Sequence, residues 1–100
     1  MHKIEVVVQP ECLGEVSEAL RRAKSGPFVA SDVTIFDPSD APSGSYRGAS
    51  YTIGRERVKL ELIVGDHDVE PTVEAIRKGV GTYGRGGMEL IVLPVERLVH

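Results

Sequence analysis

One hundred residues with 12 Lys+Arg against 15 Asp+Glu, a net charge of −3, make one small domain with no global electrostatic pull toward nucleic acid or an anionic membrane surface. Cys12 is the only cysteine, so no intrachain disulfide can form; no leader and no apolar run of about 18 residues is evident, and a reducing cytoplasm is the expected compartment, without membrane insertion. A core of this size leaves apolar surface uncovered, which predicts oligomerisation.

In chain order, residues 3–8 are largely β-branched and apolar after Lys3, with Glu5 interrupting, and read as a strand ended by Pro10. Leu13, Val16, Ala19, Leu20 and Ala23 recur at spacings of three and four, which predicts a helix stopped by Ser25-Gly26-Pro27. Phe28, Val29, Val33, Ile35 and Phe36 form a second extended segment. From Asp37 to Gly54 prolines and turn formers predict a long mobile loop. Arg55 to Val64 is the third strand, Asp66-His67-Asp68 offers capping oxygens, and Val69, Val73, Ala75, Ile76 and Val80 form the apolar side of a second helix closed by Gly79 and Gly81. Thr82 to Gly87 is a second loop, and Met88 to Pro94 the last strand.

The chain repeats at a constant offset of 56: residues 3–8 return as 59–64, and Glu18-Ala19-Leu20-Arg21-Arg22 returns as Glu74-Ala75-Ile76-Arg77-Lys78. Two strand-helix units in the order βαββαβ predict an α+β ferredoxin-like sandwich, a four-stranded antiparallel sheet with two helices on one face. Apolar residues at adjacent positions in strands one and three (Val6, Val7, Val8; Leu62, Ile63, Val64) predict that both sheet faces meet something dry, with a subunit interface on the uncovered one.

Lys3-Ile4, Pro10, Leu13, Glu18-Ala19-Leu20, the hexapeptide Tyr46-Arg47-Gly48-Ala49-Ser50-Tyr51, Val58-Lys59-Leu60-Glu61 and Val92-Leu93-Pro94-Val95 together resemble the PII signal-transduction family over essentially the whole chain. The hexapeptide, close to the family's Tyr-Arg-Gly-Ala-Glu-Tyr, is the most specific part. The resemblance implies a single PII-like domain over 1–100, a non-catalytic homotrimer with inward-facing sheets and an adenine nucleotide between subunits. It also implies an effector loop at about 37–54 that docks on a transporter or enzyme, and a phosphate loop at about 82–88.

Three departures point to a divergent PII-like protein. The glutamine with which typical members read 2-oxoglutarate corresponds to Ser39. The phosphate loop, usually Thr-Gly-x-Ile-Gly-Asp-Gly-Lys, is Thr82-Tyr83-Gly84-Arg85-Gly86-Gly87-Met88-Glu89, with an acid in place of the lysine. The sequence ends at His100, around the first of two phosphate-contacting arginines. Mono- or diphosphates become as fitting as ATP, and shortened members of this kind include the carboxysome-associated, bicarbonate-responsive PII-like proteins.

On this resemblance the nucleotide-binding residues are Phe36, Asp37, Glu61, Val64, Arg85, Gly86, Gly87, Glu89 and His100. Arg55, Arg57 and Lys59 would bind a small anion, bicarbonate for instance, and Tyr46, Arg47 and Tyr51 a partner. From the residues alone, Gly84-Arg85-Gly86-Gly87 suits an anion nest with an added guanidinium, against the plain alternative of a flexible connector. Arg55 and Arg57 point to one face of an extended strand, against a solvated strand end. Lys59 and Glu61 repeat Lys3 and Glu5, which speaks for architecture as much as for a ligand.

His2, His67 and His100 form no ligand-spaced pair, so no metal is expected, and Cys12 without a basic neighbour is packing rather than a nucleophile. The competing readings are a nitrogen-regulatory PII sensing 2-oxoglutarate, an acylphosphatase-like hydrolase, and a CutA-like metal-tolerance trimer. The hydrolase lacks an arginine at Gln9-Pro10-Glu11-Cys12, and the CutA-like trimer would want a richer aromatic core. An RNA-binding sheet would need exposed aromatics on its central strands.

Overall fold

The computed structural model describes residues 1–39, 44–51, 54–81 and 89–99, with the backbone alone for 44–46 and 49–51. Its main sheet contains β1 (His2–Val8), β2 (Val29–Ile35), β5 (Arg55–Val64) and β6 (Leu90–Pro94) in the order β2-β5-β1-β6, every pairing antiparallel. Helices α1 (Leu13–Arg22) and α2 (Val69–Val80) pack on each other and on one sheet face, which is the ferredoxin-like βαββαβ sandwich.

Side chains in β1 and β5 alternate more cleanly than the apolar runs suggest. Ile4, Val6 and Val8 and their counterparts Val58, Leu60, Leu62 and Val64 turn under the helices and are buried, while Val7 and Ile63 stand on the far face with the charged residues. The core closes with Val16 and Leu20 from α1, Val73, Ile76 and Val80 from α2, and Cys12, whose thiol burial pushes up.

The repeat is visible as geometry. Short 3₁₀ turns occupy Pro10–Cys12 and Asp66–Asp68 at the same offset, and in the β1–β5 ladder Glu5 lies directly opposite its own duplicate, Glu61. A pseudo-twofold axis passes between them.

Four local expectations change. α1 is ended by Lys24, not by Gly26: Lys24 takes φ 57°, its N–H bonds the Arg21 carbonyl and that of Ser25 the Leu20 carbonyl, a Schellman closure. Ala23 is exposed beyond the helix. Gly79 is not a terminator but a buried contact point inside α2, where an added Cβ would lie 2.4 Å from the Val16 Cα and 2.8 Å from the Val16 nitrogen; Gly81, at φ 54°, is the terminator. Asp66 and Asp68 make no side-chain cap; Asp66 instead meets the N-terminal amine and, at 3.0 Å, His2 Nδ1. Within the stretch expected as a loop, β3 (Gly44–Tyr46) and β4 (Ala49–Tyr51) form a hairpin turning on Arg47 (φ 51°) and Gly48 (φ 82°), the two positive φ values of a type I′ turn. Arg-Gly is a weak hairpin signal, so composition alone pointed to an open loop.

Candidate functional site

The sheet face away from the helices is organised by parity. On it β5 presents Arg55, Arg57, Lys59, Glu61 and Ile63; β1 presents Lys3, Glu5 and Val7; and the facing positions of the edge strands are Val33 and Ile35 on one side and Ile91 and Leu93 on the other. Two distinct neighbourhoods result.

The first is a charge quartet on the pseudo-twofold axis. Lys3 Nζ lies 3.1 Å from Glu5 and 3.3 Å from Glu61, while Lys59 Nζ lies 3.1 Å from Glu61 and 3.9 Å from Glu5. Two carboxylates placed directly opposite each other would repel; the two duplicated lysines on the diagonals cancel that repulsion. The hydrogen bonds from Lys59 and Lys3 hold the Glu61 carboxyl below the usual carboxylate range, and those to Glu5 and Glu61 raise the Lys3 ammonium above its usual value.

The second is a groove of about 650 Å³ at the end of the sheet where the long loop leaves and returns. It brings together five sequence-predicted site residues from three parts of the chain: Asp37, Arg55, Arg57, Lys59 and Glu89. Asp37 accepts hydrogen bonds from the Ser39 backbone N–H at 2.9 Å and the Ser39 hydroxyl at 2.6 Å, and faces Arg55 at 4.0 Å. Those Ser39 bonds, then Arg55, hold the Asp37 carboxyl down. Ser39 thus closes a local turn, at the position where the family resemblance placed a ligand-reading side chain. Arg57 donates to the Glu56 carbonyl at 2.7 Å.

Other candidates lie elsewhere. Glu61 belongs to the quartet, Val64 turns its side chain into the core, and Phe36 is exposed, its ring lying over Gly54, where a Cβ would come within 2.8 Å of it. Arg47 is exposed on the hairpin turn. The side chains of Tyr46 and Tyr51, and all of Arg85, Gly86, Gly87 and His100, lie outside the described residues. The apolar walls of the groove, Val7, Val33, Ile35 and Ile91, were not singled out from sequence. Their strand parity was legible there, but which strands are neighbours and in what register was not. Among the described residues no group of three or more His, Cys, Asp or Glu could hold a metal ion, and no helix is long and apolar enough to cross a membrane.

The family model described as Nitrogen regulatory protein P-II matches residues 1–100. Nitrogen regulatory protein P-II of Mesorhizobium japonicum is 35% identical to this chain over 101 residues, spanning 100% of this chain and 90% of its own length. The proteins of the same name from Azospirillum brasilense and Pyropia yezoensis are 33% and 31% identical with the same coverage of 100% and 90%. A whole-chain match of this kind, on a ferredoxin-like fold with both duplicated halves intact, places the chain in the P-II family, a family of signal-transduction regulators rather than enzymes.

Proposed function

We propose that this protein is a homotrimeric cytoplasmic regulator that holds an adenine nucleotide in the clefts between its subunits and responds to a second small anion such as bicarbonate. The arm that carries the Arg47–Gly48 turn then acts on a transporter or enzyme of carbon or nitrogen metabolism. The observation that carries the reading is the groove: residues of β5, the start of the loop and the approach to β6 converge on one end of an otherwise uncovered sheet face, beside the arm that would report occupancy. A ligand shifts such an arm only by binding one of its arrangements more tightly than the other.

The charge balance of the groove bears on which adenylate fits. Arg55, Arg57 and Lys59 are offset by Glu5, Asp37 and Glu89, so AMP or ADP is favoured over ATP, whose greater charge would meet three carboxylates. A second reading, a nitrogen regulator responding to 2-oxoglutarate, is favoured by the names of the relatives. Light scattering on the purified chain, followed by calorimetric titration with AMP, ADP and ATP, each with and without bicarbonate or 2-oxoglutarate, tests both. A monomer, or a trimer indifferent to every adenylate, overturns the proposal; tight binding of ATP that strengthens with 2-oxoglutarate selects the second reading.

A further inference from the structure

Within the groove the charges divide by whether they are already satisfied. Lys59 and Glu5 belong to the quartet, and Asp37 is tied to Ser39 and faces Arg55. Arg57 and Glu89 are different. The guanidinium reaches only the neighbouring Glu56 carbonyl, and Glu89 has no hydrogen bond or ion pair among the described residues. β5 and β6 flank β1: the β1–β5 register sets Lys59 across from Val7 with Arg57 two residues further along, and continuing the β1–β6 register past Val6–Leu90 sets Glu89 across from Val7 on the other side. Two strand spacings, about 10 Å, and two residues along the strands, about 7 Å, separate the backbones of Arg57 and Glu89, so the two charges line one groove without contact. The same groove is lined by Val7, Val33, Ile35 and Ile91, with Val33 and Ile35 on the far side of β5 from Glu89.

We infer that this pair is the recognition site for a small zwitterion, an α-amino acid with an uncharged side chain. Arg57 takes the carboxylate through its fork of donors, Glu89 accepts from the ammonium, and the valine and isoleucine walls take the side chain. A bare oxyanion such as bicarbonate uses Arg57 and is repelled by Glu89; a free amine does the opposite. Only a molecule carrying both charges uses both, and the groove, with as many cations as carboxylates, has no net field to favour either sign. The inference rests on the regulatory reading above for the consequence of binding, names its second effector differently, and places that effector in the same groove that carries the nucleotide reading.

The test is calorimetric titration of the full chain with L-leucine, its deaminated analogue 4-methyl-2-oxopentanoate and its decarboxylated analogue 3-methylbutylamine, then with the other proteinogenic amino acids, repeated in Glu89→Gln and Arg57→Gln. Both positions are on the outer face away from the core, so neither change threatens the fold. At least one amino acid should bind, and its two analogues should bind at least about ten-fold more weakly. Glu89→Gln should cost the amino acid at least about ten-fold while leaving the oxo acid no weaker; Arg57→Gln should weaken both. An oxo acid or bicarbonate that binds as well as any amino acid, no amino acid binding at all, or binding that Glu89→Gln does not change would each overturn the inference. An adenylate that binds while every amino acid fails leaves the nucleotide reading standing alone; the converse result overturns only that reading.

Discussion

Gly79 shows how far a single position can run against its local preference. In a helix interior alanine is favoured over glycine by about 1 kcal/mol, yet at Gly79 a methyl group would collide with the backbone of Val16, which cannot rotate aside. Gly79→Ala should therefore destabilise the protein by about 1–3 kcal/mol as α1 and α2 are forced apart, and urea unfolding would show it; an unchanged or raised midpoint would mean that the helices shift freely. In sequence this glycine looks like a terminator, since nothing local distinguishes a helix-crossing glycine from a capping one.

The quartet gives a pH dependence whose sign is fixed. The Glu61 carboxyl is depressed below its ordinary 4.5, so its contribution to stability is complete above that pH and is lost as pH falls through the folded-state value. The Lys3 ammonium is raised above 10.5, so its contribution is complete below that pH and is lost as pH rises through the folded value. Lys3→Met with Lys59→Met leaves Glu5 and Glu61 facing each other without counter-ions. In thermal melts across pH the double variant should lose stability at neutral pH and regain part of the deficit in acid, whereas the parent only declines.

At the scale of elements, the strands and helices were legible because each half writes its periodicity twice and the copies agree within a residue or two. Their ends were less so. α1 closes on a lysine in the left-handed region, a conformation costing an L-residue about 1–2 kcal/mol; Lys24→Gly should raise stability by about 1 kcal/mol, visible as a higher urea midpoint. The β3–β4 hairpin escaped notice because its turn lacks the usual Asn-Gly. Gly48→Ala, at φ 82°, should weaken the hairpin by about 1 kcal/mol without moving the global unfolding midpoint, so that amide exchange in 44–51 accelerates while β1 and β5 stay protected. The groove was half legible: side-chain parity identified Arg55, Arg57 and Lys59 as one face, but bringing Asp37 and Glu89 beside them required the pairing order β2-β5-β1-β6, which no single strand encodes.

For the molecule as a whole, the sheet face away from the helices is the surface on which the proposed association is tested. Ile63, Ile91 and Leu93 are between 39% and 48% exposed on it, framing the neutral quartet, an arrangement suited to burial against further copies of the chain. Leu93→Glu is the discriminating change: Leu93 pairs across the ladder with Lys3, so a lone subunit tolerates the new carboxylate as an ion pair. An assembly built on that face should fall apart while circular dichroism and the unfolding midpoint of the subunit stay normal; persistence of the oligomer would place the interface elsewhere.

The strand order carries a corollary as well. Because β2 lies beside β5 and β6 beside β1, each half of the chain lends its outer strand to the other half's centre, in the manner of two swapped arms. A peptide of residues 1–36 holds every part needed to re-enact that exchange with an identical twin. It should gain structure as its concentration rises, pairing two copies of the first half as the two halves pair within the chain.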